Sequence, residues 1–174
     1  ARAGLTAARA GRREPDGGAG AEARRNRTTE PSDGDKVVIG MTYGEHHRLT
    51  TKLSLQARDQ LRTICAAFPE VRETVDGHGH TAFRVRDKTF VMMGEDGSGR
   101  CSVAVKTTRA IQELLLAQEG TVFFKTPYIG QHGWVSFPAD EDVRWKEEIA
   151  PLVLEAYCLA APRRLAAALR PSDG

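Results

Sequence analysis

The sequence predicts an α+β fold, a two-layer domain in which an antiparallel sheet carries helices on one side. Between residues 71 and 106, short runs of alternating apolar and polar residues follow one another across short turns. This arrangement is typical of an antiparallel meander. Segments with apolar residues at 3–4 spacing lie before the meander, directly after it and near the end of the chain. The predicted element order is therefore α-β-β-β-β-α-β-β-α.

The first helix is predicted to begin at Ser54, which can cap its N-terminus, and to stop before Pro69. The meander strands follow at 71–75, 81–85, 89–93 and 101–105. In the second strand, Phe83 and Val85 should point to one face and Arg84 and Arg86 to the other. Alternation thus places the arginines on the solvent face.

The second half of the chain is predicted to supply one more helix, two more strands and a helical C-terminus. Thr107 or Thr108 can cap the helix, which should end at Gly120 and turn Ile111, Leu114 and Leu115 inward. Strands are expected at 122–125 and 134–137, and Pro151 suits the first turn of the next helix. A short alanine-rich helix should follow Pro162 and end near Arg170.

Composition divides the chain into a tail, residues 1–48, and a domain, residues 49–170. The first forty residues have few large apolar side chains, too few to offset the entropy of ordering, and are predicted to be disordered. Met41 is a candidate start of translation, which would place the first forty residues outside the protein. Of 25 Lys+Arg and 23 Asp+Glu, the first forty residues hold 8 and 6, which leaves 17 of each. Because the remainder is neutral, nucleic-acid binding would need a local basic patch.

Three segments together resemble the MmcQ/YjbR family, over roughly residues 53–169. They are the Gly79 to Arg86 segment, the signature segment from Lys125 to Phe137 (KTPYIGQHGWVSF), and Glu155-Ala156-Tyr157. The resemblance implies a fold similar to secretion-chaperone-like domains. It also implies a small bacterial protein of a kind usually labelled DNA-binding.

The first functional hypothesis is a non-enzymatic DNA-binding protein with a double wing, as the resemblance implies. The wings would be the turns at 86–89 and 94–100, although Asp87, Glu95 and Asp96 also lie there. Guanidinium and ammonium groups suit phosphate contacts. The predicted nucleic-acid-binding residues are Arg84, Arg86, Lys88, Arg100, Lys106 and Lys125.

The alternative hypothesis is an adaptor domain that binds a protein or small ligand and has no nucleic-acid role. Its aromatic pocket would be lined by Tyr128, His132, Trp134 and Tyr157. Trp134 and Tyr128 could equally be packed against the C-terminal helix. A clustered basic face would favour DNA, and an apolar concavity around Trp134 would favour the adaptor.

Catalytic, metal and cofactor sites are not expected. Hydrolase, phosphate-loop, zinc-protease and dinucleotide motifs are missing from the sequence. The histidines His46, His47, His78 and His80 are predicted to lie in the tail or a turn, without metal-ligand spacing. Cys65, Cys101 and Cys158 form no C-x-x-C pair and suit buried reduced thiols. Without an apolar run long enough to span a membrane, the protein is predicted to be cytoplasmic; oligomeric state stays open.

Overall fold

The computed structural model describes residues 46–170 and the backbone of two short strands, 37–38 and 41–42. The two strands, β1 (Val37–Val38) and β2 (Met41–Thr42), pair antiparallel. The rest of the predicted tail up to residue 45 lies outside the described residues. The disorder predicted for residues 1–48 and the domain boundary at 48/49 stay predictions.

Six strands form one antiparallel sheet, in the spatial order β3-β4-β5-β6-β8-β7. They are β3 (Val71–Val75), β4 (Thr81–Val85), β5 (Lys88–Glu95), β6 (Cys101–Lys106), β7 (Phe124–Lys125) and β8 (Trp134–Pro138). The first four make the predicted meander, because each is joined to the next by a short turn. A register shift between Phe83 and Arg84 leaves Phe90 as an extra residue in β5, a β-bulge.

The helices are α1 (Lys52–Cys65), α2 (Arg109–Ala117), α3 (Ala150–Ala160) and α4 (Arg163–Ala167), with a 3₁₀ turn at Gly130–His132. A π-helical turn at Trp145–Ile149 leads into α3, where Pro151 occupies the first turn as predicted. Helix α3 contacts β5 and β6, and α1 contacts β5 and α3. Tyr157 of α3 is fully buried against Phe68 and Phe90, and its hydroxyl donates to the Pro69 carbonyl over 2.9 Å. The predicted α+β class and element order are confirmed.

Several predicted boundaries need correction. Helix α1 is capped by Thr51, whose side chain accepts from the Ser54 backbone N–H. Helix α2 is capped by Thr108, one of the two predicted capping residues, but it ends at Ala117 and not at Gly120. Leu114 points to solvent and is 68% exposed, because the buried position of α2 is taken by Gln112. Strand β7 contains two residues instead of four.

Glu95, at the end of β5, fixes the start of α1 to the sheet. Its carboxylate accepts from the backbone N–H groups of Thr50 and Thr51 over 2.7 Å each. The hydroxyls of Thr50, Thr51 and Ser54 also donate to it. Burial alone would raise the pKa of Glu95, but these donors outweigh it and lower the pKa to about 2. The predicted wing residue Glu95 therefore has a structural role.

Within the described residues, no helix is both long enough and apolar enough to cross a lipid bilayer.

Candidate functional site

The sheet has two unlike faces, which the strand register defines because directly opposed residues share a face. The helix face, turned toward α1 and α3, carries Phe83 opposite Val91, then Val105 and Val135 along the same row. We call the other side the distal face. Its middle row runs through Thr74, Ala82, Met92, Ala104 and Ser136. Small side chains predominate there, so the distal face is shallow.

The carboxylates of the sheet lie on one face, and three cations lie together on the other. On the distal face, Arg72 lies opposite Arg84, and Lys106 lies opposite Trp134. These three cations, Arg72, Arg84 and Lys106, form what we call the basic row. It spans β3 to β6, three strand spacings or roughly 14 Å. The described distal-face strand positions hold no carboxylate, whereas Glu73 and Glu95 register with the helix face.

The cations of the basic row keep their charge unneutralised. Arg84 donates to the backbone carbonyl of Asp87 over 2.6 Å, and Lys106 Nζ donates to the backbone carbonyl of His132. Within residues 46–170, none of the three forms an ion pair with a carboxylate. The basic row is therefore a local patch of the kind that a neutral domain needs to attract a polyanion.

The six predicted basic residues do not converge on one surface. Arg86 donates to Glu70 over 2.9 Å and Arg100 to Asp96 over 3.2 Å, so both are ion-paired. The two predicted wings lie at opposite ends of β5, whose eight residues separate them by roughly 23 Å. Lys88 and Lys125 are exposed but register with the helix face. Only Arg84 and Lys106 of the six belong to the basic row.

The four residues predicted to line an aromatic pocket also lie apart. Tyr157 is 0% exposed in the core, whereas Tyr128 is 94% exposed. His132 is exposed in the 3₁₀ turn. Trp134 is half-buried on the distal face, because its neighbour Val135 takes the helix face. Neither Trp134 nor Tyr128 packs against Tyr157, since β8 turns the tryptophan away from α3.

A cleft of about 540 Å³ lies on the distal face and uses Tyr128 but not the other three. Its floor is formed by Met92, Gly94, Ser102, Ala104 and Ser136. Ala104 is two residues along β6 from Lys106, or about 7 Å. The cleft is within the roughly 300–1,000 Å³ typical of small-molecule sites, and it adjoins the basic row.

Histidines form one wall of the cleft. The rings of His47 and His80 stack with centroids 4.1 Å apart and planes at 14°, and His78 lies edge-on to His80 at 6.3 Å. His47 is held by main-chain hydrogen bonds to His78 and Glu95. His47, which belongs to the stretch predicted as tail, thus lies against the sheet and lines the cleft.

Glycine at position 94 makes this wall possible. A Cβ there would lie 2.8 Å from His80 Cδ2 and 2.9 Å from His47 Cβ, closer than packed carbon atoms approach. Any larger side chain would force the histidine rings off the floor of the cleft.

The opposite wall is the first part of the signature segment, Thr126 to Ile129. Main-chain bonds from Gly130 to Thr126 and from Ile129 to Pro127 close it into a tight turn. Gln112 of α2 anchors the turn by donating to the Gly130 carbonyl over 2.7 Å and to the Trp134 carbonyl over 2.8 Å. Tyr128 is held at φ 64°, a conformation that costs a non-glycine residue about 1–3 kcal/mol.

His80 of the cleft wall is paired with Asp76, which lies outside the cleft lining. Burial alone would raise the pKa of Asp76, but backbone N–H donors of His78 and His80 and the charge of His80 lower it. Burial is the main cause that lowers the pKa of His80, and the charges of His47 and His78 lower it further. Asp76, 3.0 Å away, raises this pKa but does not outweigh them. His80 is therefore a neutral aromatic ring at neutral pH.

No set of three or more His, Cys, Asp or Glu side chains within the described ranges is arranged to hold a metal ion. His47 and His80 stack face to face, so the two rings do not converge on a common point as ligands would.

Sequence reasoning missed Arg72, His47, Met92 and Gly94. Arg72 alternates with Val71 and Glu73 in a predicted strand, so the sequence could indicate which face of that strand it occupies. The sequence could not indicate that Arg72 lies opposite Arg84. His47 and Gly94 are far apart in the chain, and no local pattern indicates that they touch.

A model of the YjbR family matches residues 66–159, more than half of the chain. The chain belongs to the YjbR family. Among solved structures, it is similar to the crystal structure of a Deinococcus radiodurans protein with a DUF419 domain. The TM-score is 0.52 at 16% identity, over 64% of this chain and 86% of that one. This likeness supports the fold alone. No curated protein matches.

Proposed function

We propose that this YjbR-family protein binds nucleic acid through its distal face, with the basic row contacting phosphates. The observation that carries the proposal is the segregation of charge: Arg72, Arg84 and Lys106 share a face whose described strand positions hold no carboxylate. Guanidinium groups match phosphate oxygens in geometry and keep their charge at all physiological pH values. Proteins of this family are usually labelled DNA-binding, which agrees with the proposal.

The proposed surface differs from the two wings that the resemblance implied. Arg86 and Arg100 are already paired with carboxylates at opposite ends of the sheet, and breaking such pairs would offset part of the gain from a phosphate contact. With three phosphate contacts and a neutral domain, affinity should be weak. We expect a Kd on the order of 10 to 100 μM at physiological salt.

We further propose that the protein works by binding and not by catalysis. Burial raises the pKa of Cys65 and of Cys101 to about 12, so neither thiol supplies a thiolate nucleophile at neutral pH. Unpaired cysteines also suit a reducing compartment such as the bacterial cytoplasm.

Two charge-matched double variants test the basic row. Arg72→Gln with Arg84→Gln removes two proposed phosphate contacts, whereas Arg86→Gln with Arg100→Gln removes the same charge from ion-paired positions. Binding of a fluorescent random-sequence DNA is measured by anisotropy across a salt series. The first variant should flatten the slope of log K against log salt by about 1.4 for a single strand or 1.8 for a duplex. The second should leave the slope near that of the wild type.

Equal slopes for the two variants would show that the basic row has no special role. Absence of DNA binding by the wild-type protein at 20 mM salt would refute the proposal outright. Because both variants carry the same net charge, a general electrostatic effect would change them alike.

A second candidate function, binding of a small apolar ligand or an apolar side chain of a partner protein, is favoured by the cleft itself. The mostly apolar floor around Met92 and Ala104 would take such a group without any phosphate contact. Fluorescence titration with a neutral naphthalene or indole probe tests it. This candidate predicts that the probe binds equally well at low and high salt and equally well to the Arg72→Gln/Arg84→Gln double variant. It also predicts that the wild-type protein does not bind DNA.

A further inference from the structure

The cleft and the basic row lie on the same face and follow each other along the same strands. From Lys106 to Ala104 in β6, and from Trp134 to Ser136 in β8, the step is two residues, or about 7 Å. A group attached to a phosphate on the basic row would therefore reach the floor of the cleft within a distance comparable to a sugar and a base.

The walls of the cleft offer two flat aromatic surfaces. On one side the stacked rings of His47 and His80 stand on Gly94. On the other side Tyr128 presents a ring that is 94% exposed. Bases stack well on tyrosine and histidine rings.

Tyr128 is both strained and unpacked, a combination that folding alone does not explain. Its φ of 64° is costly for an aromatic residue, and its ring buries almost no surface in return. Strain of this kind, held in place by surrounding hydrogen bonds, occurs at sites that bind ligands. The turn that holds Tyr128 is anchored by Gln112, which fixes the backbone of this residue at the mouth of the cleft.

Hydroxyl groups supply polar contacts inside the cleft. Thr126 Oγ1 and Ser136 Oγ lie 2.9 Å apart, and Ser102 lines the same floor. Each hydroxyl can donate or accept, so the floor suits the mixed donors and acceptors on the edge of a heterocycle. Thr126 and Ser136 hydrogen-bond to each other, and each hydroxyl oxygen keeps further acceptor capacity for a polar ligand edge.

We infer that the cleft holds one unstacked base, between Tyr128 and the histidine pair, of a single-stranded nucleic acid whose phosphates lie on the basic row. The inference rests on the proposed function and makes it more specific. In a duplex the bases are stacked and paired, so none could enter the cleft without first leaving the helix. The protein should therefore prefer single strands over duplexes.

Three labelled ligands test this inference at 20 mM salt by anisotropy: a ten-nucleotide mixed-sequence DNA, an all-abasic strand of the same length, and the ten-base-pair duplex. The abasic strand keeps the phosphates but has no base to stack. We expect it to bind roughly 5- to 150-fold more weakly than the intact strand, the range for one base–aromatic stack. The duplex should also bind more weakly than the intact strand.

Tyr128→Ala links this difference to the cleft. Because the ring is 94% exposed, the variant should fold normally, and it should lose affinity for the intact strand but not for the abasic strand. Tyr128→Phe, which keeps the aromatic face, should retain the wild-type preference.

The outcomes distinguish base binding in the cleft from phosphate binding on the basic row. Equal binding of intact and abasic strands, or an intact-to-abasic ratio unchanged in Tyr128→Ala, would overturn the base cleft while leaving phosphate binding intact. Duplex binding as tight as single-strand binding would overturn it too. Failure of all three ligands to bind would instead refute the proposed function and the inference with it.

Discussion

The helix face and the distal face are built from the same strands, yet they carry opposite kinds of residue. On the helix face, Phe83, Val91 and Val103 are at most 2% exposed. On the distal face, Arg84, Met92 and Lys106 are all partly exposed. Successive residues of a strand point to opposite faces, so every strand contributes one residue to the core and the next to the exposed surface. The carboxylates at the described strand positions, Glu73 and Glu95, lie on the helix face, and the cations of the basic row lie on the distal face.

This contrast indicates how a domain with no net charge can present a polyanion-binding surface. The Glu95 carboxylate accepts hydrogen bonds from backbone N–H groups at the N-terminus of α1, and Glu73 pairs with Arg62 of α1 over 2.6 Å. Because these acids are engaged on the helix face, the cations of the distal face are not neutralised by them. Four predictions test whether the two faces are as separate as the structure shows.

The largest expected effect compares one large aromatic residue from each face. Phe83→Ala should lower the free energy of unfolding by about 3–5 kcal/mol, since it leaves a cavity in the core on the helix face. Trp134→Ala should cost only about 1–2 kcal/mol, because the half-buried ring lies on the distal face. Urea denaturation followed by circular dichroism measures both. A Trp134 loss equal to that of Phe83 would mean that the distal face is also a stabilising core.

Glu95 should make stability depend on pH. Its pKa of about 2 in the folded protein is below the ordinary 4.5, so its stabilisation is complete above pH 4.5 and is lost as the pH falls toward 2. At pH 7, Glu95→Gln should cost about 2–3 kcal/mol. The difference between wild type and variant, from urea unfolding at pH 7, 4 and 3, should shrink as the pH falls. A difference that stays constant across this series would assign the stabilisation to something other than the carboxylate charge.

Two glycines test how tightly the histidine wall sits on the distal face. Gly94→Ala places a Cβ within 2.9 Å of both His47 and His80 and should cost about 1–2 kcal/mol through overpacking. Gly97→Ala, in the neighbouring turn, meets nothing within 4 Å and should change stability by less than about 0.5 kcal/mol. Thermal unfolding measures both variants. Hydrogen exchange should also show faster exchange at His47 in Gly94→Ala alone, and equal behaviour of the two variants would contradict the packed wall.

The smallest effect concerns the strained residue at the mouth of the cleft. Tyr128→Asn replaces an aromatic residue at φ 64° with one that tolerates this conformation. The variant should therefore be more stable by about 0.5 kcal/mol, while its affinity for single-stranded DNA falls. A variant that loses stability would show that the Tyr128 ring contributes packing, in which case its strain would not indicate a binding role.

Short-range chemistry made much of the fold predictable. The alternation at 81–85 correctly placed Phe83 and Val85 on one face, and both are buried in the core. Pro151 marked the first turn of α3 for the same local reason, a missing N–H that the helix start does not need. The boundary errors at Ser54 and in β7 arose where a tertiary partner decides the end of an element.

The sequence by itself determined the α+β class, the element order and the outward direction of Arg84, because backbone periodicity is a local property. Tertiary structure alone decided which cations form one row. It brought Arg72 beside Arg84 by strand pairing, placed Lys106 across the sheet, and engaged Arg86 and Arg100 with carboxylates. It also set His47 against His80 and Gly94. Such contacts depend on register between distant segments, which no single segment encodes.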